Sequence, residues 1–322
     1  MRAVRVDEFG EPGVLVVRDV AEPVPAAGQV LVDVRMAGVI YGDVMVRSGV
    51  YPLPLPWIPG IEVAGRVVAT GPDVDESLLG KTVVATTAGQ AGGYAERAVV
   101  TAAYTFPVPE GLAVDTALAV FQAGALARGL LSAMRVEAGD SVLITAAAGR
   151  VGSLLVQWAK AAGATVIGAA SRAKLDAVAE FGADHAVDYG ADGWADQVRE
   201  LTGGQGATAV LDAVGGDVAE SAFGAAADGV GRIGLYGYAS GRWPALDVPA
   251  ITRRGLTLCG PLGMVFRKSD AEQREDAEQA LTAAARGELT PRIHARFPLG
   301  KAACAHRELQ DRKSVGAVVL TI

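Results

Sequence analysis

Ser141-Val-Leu-Ile-Thr-Ala-Ala-Ala-Gly149-Arg150-Val151-Gly152 is the stretch on which the fold turns. Val142 to Ile144 form a short apolar run of the kind that makes a buried strand. The run breaks at small residues and Gly149, and a helical spacing follows at Val151, Leu154, Leu155, Trp158 and Ala159. Thr165-Val-Ile-Gly-Ala169 then reads as a second strand. Strand, glycine turn, helix and strand fit within about thirty residues, the size of a mononucleotide-binding unit. The helix start offers backbone N–H groups and the positive end of a dipole, both suited to a pyrophosphate. As a pattern the turn is Ala147-x-Gly149-x-x-Gly152, a dinucleotide fingerprint whose first glycine is alanine. Ala148, Gly149, Arg150, Val151 and Gly152 are the expected pyrophosphate contacts. A tight turn in any βαβ protein would share this spacing, so the sequence beyond it carries the cofactor assignment.

A site for NAD carries Asp or Glu about twenty residues on, where it bonds the ribose 2′-hydroxyl. Here the second strand ends Gly168-Ala169-Ala170-Ser171-Arg172-Ala173-Lys174, with two cations, a hydroxyl and no acid. Arg and Lys pair with a 2′-phosphate through charge-assisted hydrogen bonds. NADPH is therefore favoured over NADH, with Ser171, Arg172 and Lys174 as its contacts. The alternative is that Ser171 caps the next helix and both cations are solvated. Cations in a first helical turn oppose the dipole, which favours the functional reading.

The chain has 322 residues, enough for about two domains. Apolar residues make up 51%, aromatics only 6%, as suits parallel strands and closely packed helices. A net charge of −7 makes nucleic acid or an anionic membrane a poor main partner. Met1-Arg-Ala-Val-Arg-Val-Asp reads as a strand and not as a signal peptide, and no apolar run is expected to span a bilayer. With only Cys259 and Cys304, far apart, a disulfide framework is excluded and a cytoplasmic location expected. His185, His294 and His306 are equally scattered, so no metal-ligand set is expected.

Residues 1–110 read as β-rich, with short strands near Val4, 14–18, 29–35, 63–69 and 81–85 separated by Pro and Gly. Such spacing suggests a small irregular barrel. Strands near 142, 165, 185, 208, 230 and 256–259 then alternate with helices, as in a doubly wound sheet. A helix at 269–286, a Pro-containing loop, a helix at 301–311 and a strand at 317–321 read as a return to the first domain. The expected division is 1–118 with 262–322, and an inserted nucleotide domain at 119–261.

Gly38-Val-Ile-Tyr-Gly-Asp43, Arg47-Ser-Gly-Val-Tyr-Pro52, Pro59-Gly-Ile-Glu-Val-Ala-Gly65, Gly92-Gly-Tyr-Ala-Glu96, Ala146 to Gly152, Asp212-Ala-Val-Gly-Gly216, Gly231-Arg-Ile-Gly-Leu-Tyr-Gly237 and Ala239-Ser-Gly241 occur in that order. With them the chain resembles the medium-chain dehydrogenase/reductase superfamily, in its zinc-free quinone oxidoreductase branch. The resemblance spans essentially the whole length. It implies an α/β architecture: a GroES-like barrel plus a Rossmann domain, with the active site in the cleft between them. It also implies a homodimer built on a Rossmann edge strand, here near Leu256–Leu262. Zinc-dependent relatives carry Cys where Ile40 stands and His where Ile61 stands. Tyr189, Gly237 and Arg312 match cofactor positions, Tyr189 and Arg312 at the 2′-phosphate.

Tyr51 lies in a Gly-x-Tyr-Pro segment whose tyrosine is proposed as an acid in related enoyl reductases. A phenol can donate to an enolate. Tyr41 is the alternative donor, and Asp43 reads as a structural acid bonding N–H groups of its own turn. The branch usually has Asn at Ile40 and Thr-Ala-Tyr-Tyr where Leu126-Ala-Arg-Gly129 stands, so Ile40, Tyr51 and Leu126 should line an apolar substrate pocket. The expected function is NADPH-dependent, zinc-independent reduction of a quinone or an α,β-unsaturated carbonyl compound. A tailoring enoyl reductase of a polyketide-like pathway and a non-catalytic NADPH-binding protein are the alternatives.

Overall fold

The computed structural model describes all 322 residues. Their contacts sort into two units, Met1–Gln122 with Leu281–Ile322, and Ala123–Ala280. The chain opens with β1 (Arg2–Arg5), β2 (Val16–Asp19) and the long β3 (Gln29–Val39). Then come α1 (Tyr41–Arg47), β4 (Glu62–Thr70), β5 (Thr82–Thr87), β6 (Arg97–Pro107) and α2 (Val114–Ala133). The second unit alternates β7 (Ser141–Thr145), α3 (Arg150–Ala161), β8 (Thr165–Ala170), α4 (Leu175–Glu180), β9 (His185–Asp188) and α5 (Trp194–Leu201). It continues with β10 (Ala209–Asp212), α6 (Gly216–Ala225), β11 (Arg232–Leu235), α7 (Val248–Arg254), β12 (Thr257–Cys259), α8 (Pro261–Val265) and α9 (Asp270–Ala285). Finally β13 (Ile293–Pro298), α10 (Ala302–Gln310) and β14 (Ala317–Thr321) complete the first unit.

In the first unit β3 organises the sheet. One of its edges pairs with β4, and the other is divided: Gln29–Asp33 pair with β6 and Met36–Val39 with β14. Since β4 also pairs with β5, and β5 with β6, strands β3 to β6 close into a barrel. Closure removes the open edges that an apolar sheet would otherwise expose. Val30, Val32, Val34, Val63, Val67, Val83 and Val100 fill the interior as alternating β-branched residues. Two segments differ from the sequence reading. Residues 97–107 form a full strand, although alanines blur its alternation. Residues 293–298, expected as a loop, form β13, parallel to β14 at the sheet edge. An edge strand loses little by ending on Pro298.

The second unit holds a parallel six-stranded sheet in the order β12-β11-β10-β7-β8-β9. That is the doubly wound order, whose switch point lies between β7 and β10. Val142, Leu143, Ile144, Val166, Ile167, Val210, Leu211 and Ile233 are all fully buried, as strands covered on both faces require. The expected boundary at 261 moves to 280. Asp276 of α9 ion-pairs with Arg128 and with Lys268, and Gly129 of α2 lets Val265 pack where a Cβ would sit 3.0 Å away. The α2 helix, which the sequence reading did not single out, is long and apolar enough to cross a membrane by length and composition alone. Its Ala117, Leu118, Ala119, Val120, Phe121, Ala127 and Leu130 are nonetheless buried in protein.

The β7–α3 turn is the tightest point of this unit. Ala146 takes a left-handed φ of 50°, and a Cβ added to Gly152 would lie 2.2 Å from the Ala146 carbonyl oxygen. Backbone cannot yield as a side-chain tip would. Gly152→Ala should therefore cost about 1–3 kcal/mol, as overpacked sites do, read as a lower denaturant midpoint at unchanged slope. A variant as stable as the parent would show that the turn relaxes freely.

Candidate active site

The turn from β7 into α3 presents its backbone as the fingerprint requires. Gly149 precedes the helix with φ −75° and ψ 173° and, being glycine, brings no capping side chain of its own. A helix start of this kind suits an anion. Arg150 is the first helical residue, so its side chain costs the turn no left-handed strain. Ala148 is buried, whereas Gly149, Arg150 and Val151 are partly exposed.

A buried bond joins the two strands that flank the switch point. The Thr145 hydroxyl at the end of β7 donates to Asp212 Oδ1 at the end of β10, at 2.6 Å. Asp212 Oδ2 accepts from the Gly215 N–H at 2.8 Å, and the Ala213 N–H donates back to Thr145 Oγ1. Burial raises the Asp212 carboxyl above its ordinary value, partly offset by these hydrogen bonds. The next segment docks on this turn: the Ala239 and Ser240 N–H groups donate to the carbonyls of Ala213 and Val214. Gly237 faces the Ala213 carbonyl, which a Cβ would meet at 3.0 Å.

At the end of β8, Ser171 precedes a short 3-10 turn, Arg172–Lys174, without capping it through its hydroxyl. Its capping alternative is therefore removed. Tyr189 follows β9, and its backbone N–H donates to the Ala170 carbonyl, which brings it beside Ser171. The structure supplies something the linear sequence did not. Asp188, the last residue of β9, places Oδ2 3.3 Å from Arg172 Nε. The acid missing from the end of β8 is provided by the adjacent strand.

In the first unit, Ile40 precedes α1, Tyr41 begins it, and both are partly buried. Tyr51 lies in the loop beyond α1 and is 50% exposed. Leu126 belongs to the second unit, partly buried on α2. Arg312 is in the first unit. It lies beyond the end of α10 with φ 55°, a left-handed conformation that costs a side chain of its kind of order 1 kcal/mol.

Asp43 bonds more widely than its own turn, contrary to the local role expected of it. It is buried in α1, accepts from the Gly60 N–H at 3.4 Å and from the Tyr94 hydroxyl at 3.0 Å. The same hydroxyl lies 3.2 Å from His306 Nε2, and the two rings meet edge to face. Asp43, Tyr94 and His306 thus form one buried polar chain from α1 to α10. Sequence reading missed it, because His306 stands 212 residues from Tyr94 and no spacing links them.

With this geometry in place, comparison with known proteins is informative. Residues 26–110 match the alcohol dehydrogenase GroES-like domain, and residues 151–285 the zinc-binding dehydrogenase family. A quinone oxidoreductase of Pseudomonas aeruginosa is 32% identical over 99% of each chain. The chain belongs to the medium-chain dehydrogenase/reductase superfamily, in its quinone oxidoreductase branch. A 2-haloacrylate reductase of a Burkholderia species is 31% identical over 99% of this chain and 98% of its own. A mycobacterial protein solved in complex with NADPH is 36% identical, with a TM-score of 0.93 and full coverage of both chains. In this oxidoreductase, no three His, Cys, Asp or Glu side chains converge so as to hold a metal ion.

The buried chain in the barrel unit has a pH signature. Burial raises Asp43 to about 7, with Glu62 adding to the rise and the Tyr94 and Gly60 bonds opposing it. Burial, aided by the charge of Arg47, lowers His306 to about 3. The unfolded chain protonates His306 near 6.5, so His306 withdraws stability as pH falls from about 6.5 to 3. The folded chain keeps the Asp43 proton up to about 7, so Asp43 adds stability as pH falls from about 7 to 4. The two oppose each other over most of that range. Asp43→Asn should remove one of them, and its stability relative to the parent should fall on acidification by up to about 1.4 kcal/mol per pH unit. Denaturant titrations between pH 7 and 4 check this, and parallel profiles for parent and variant would contradict it.

Proposed function

We propose that the protein reduces a quinone or an α,β-unsaturated carbonyl compound with NADPH, without zinc. The observation that carries this reading is the pairing of the β7–α3 turn with Ser171, Arg172 and Lys174 at the end of β8. The first suits a pyrophosphate and the second a 2′-phosphate. Similarity to a protein complexed with NADPH and to a reductase of 2-haloacrylate supports the cofactor and the class of substrate.

The cofactor fits the residues present. The N–H groups of Arg150, Val151 and Gly152 would hold the pyrophosphate, and the closeness of Gly152 to the Ala146 carbonyl keeps the turn compact. Tyr189 would add to the 2′ end, and Gly237 leaves room for close backbone approach. When bound, NADPH supplies a hydride to an electron-poor carbon. Tyr51, half-exposed, then donates a hydrogen bond or a proton to the enolate or phenolate that grows on the substrate. Tyr41, partly buried, is the less accessible donor. Ile40 is apolar where the branch usually carries a polar Asn, which suits bulky apolar substrates.

NADPH oxidation over a panel of quinones and enones tests the reading. Turnover should survive exhaustive dialysis against a chelator. Tyr51→Phe should lower turnover on the best enone about a hundredfold, with less effect on quinones, whose reduced forms are better stabilised. Undiminished enone turnover in that variant would remove Tyr51 from the mechanism, and zinc lost together with activity would overturn the metal-free route.

We further propose a twofold dimer through β12, which ends the parallel sheet and leaves one edge unpaired. Light scattering at micromolar concentration should give twice the chain mass, and a monomer mass would contradict it.

A further inference from the structure

Asp188 stands in the proposed 2′-phosphate pocket as an acid where the site needs positive charge. Its Oδ1 accepts from the Gly190 N–H at 2.9 Å, so the carboxylate is pinned by its own turn. Its Oδ2 faces Arg172 Nε at 3.3 Å. The two side chains differ sharply in freedom: Arg172 is 85% exposed and Asp188 only 15%. We propose that Asp188 is a specificity-determining residue that restrains the preference for NADPH over NADH. The proposal rests on the NADPH reading above.

Two effects of Asp188 compete. Holding Arg172 by Nε leaves its terminal nitrogens free for a bidentate grip on phosphate, which would help NADPH. An ion pair on so exposed a side chain orders it only weakly, however, and is screened by solvent. Repulsion is the stronger effect. A phosphate gripped by the terminal nitrogens of Arg172 would lie roughly 6 Å from the Asp188 carboxylate, and it carries close to two negative charges. Asp188 is sheltered and cannot swing away, so its field on that phosphate persists. It also offsets part of the charge that Arg172 contributes. A ribose 2′-hydroxyl feels no such repulsion. The site therefore favours NADPH less than its cations alone would, and keeps NADH within reach.

The test is binding of adenosine fragments, independent of turnover. Calorimetry with 2′,5′-ADP and 5′-AMP isolates the 2′-phosphate. Asp188→Asn retains an oxygen for the Gly190 N–H, and Asp188→Ser offers a second acceptor should the first variant prove unstable. Either should tighten 2′,5′-ADP about fivefold or more at low salt and leave 5′-AMP unchanged within about twofold. The gain should shrink in about 0.5 M salt. Unchanged or weakened 2′,5′-ADP binding in a folded variant would overturn the proposal, the latter making Asp188 a holder of Arg172. Arg172→Ala separates this from the underlying reading. If the parent binds 2′,5′-ADP no better than 5′-AMP and Arg172→Ala changes neither, the NADPH assignment fails and the role of Asp188 falls with it. If the parent prefers 2′,5′-ADP and only the Asp188 variants are silent, the cofactor assignment stands and Asp188 has no part in it.

Discussion

Asp212 is a carboxylate kept wholly from water at the switch point between β7 and β10, and it depends on its hydrogen-bond partners. Hydrogen bonds from Thr145 and Gly215 satisfy the buried oxygens. Because Thr145 ends β7 and Asp212 ends β10, this bond holds the two strands in register at the switch point. The β7–α3 turn rises from one side of it and the 213–216 turn from the other. The tight approach of Gly152 to Ala146, and the docking of 239–240 on the 213–214 carbonyls, both depend on that register. A dinucleotide site of this kind is thus built from backbone and small residues, with one acid as its internal brace.

The 2′ end obeys a different logic. Arg172 is exposed and its charge acts through solvent, whereas Asp188 is sheltered, so selectivity there would be a balance of opposing terms and not a single lock. In the proposed site Arg172 and Lys174 would favour a phosphate, and Asp188, held beside Arg172 across the β8–β9 pair, would subtract from them. Cofactor preference in such a site is a graded property, tunable by one carboxylate without touching the turn that binds the pyrophosphate.

In the barrel unit the polar interior has a structural cost that the fold offsets locally. Asp43, Tyr94 and His306 are desolvated together, and each supplies a partner to the next. Arg47 is likewise buried but bonded to the Gly10 carbonyl and to Gln310. These contacts tie α1 to the loop at Gly10 and to α10. They hold the segment bearing Ile40 and Tyr41 against the barrel, while Tyr51 remains on the exposed loop beyond it. The neutral state of His306 and the retained proton of Asp43 follow from burial, so the same contacts that position α1 also make its anchoring sensitive to pH.

The strand–turn–helix at 141–161, the alternation of strands and helices that follows it and the final strand at 317–321 were legible because they rest on local patterns. Apolar runs mark strands buried on two faces, and a glycine marks a turn where only backbone fits. Local patterns also showed which cations follow β8. They could not show which residues of other strands face those cations. Asp188 lies sixteen residues from Arg172, and His306 more than two hundred from Tyr94. Parallel pairing of β8 with β9, and packing of α10 near α1, bring them together. The blurred strand at 97–107 and the edge strand at 293–298 were obscure for a related reason: their partners, not their own alternation, make them strands. Charge, periodicity and turn chemistry are properties of neighbours in the chain and can be read there. The counter-ion of an exposed arginine and the proton held by a buried acid are properties of neighbours in space, and only the folded chain decides them.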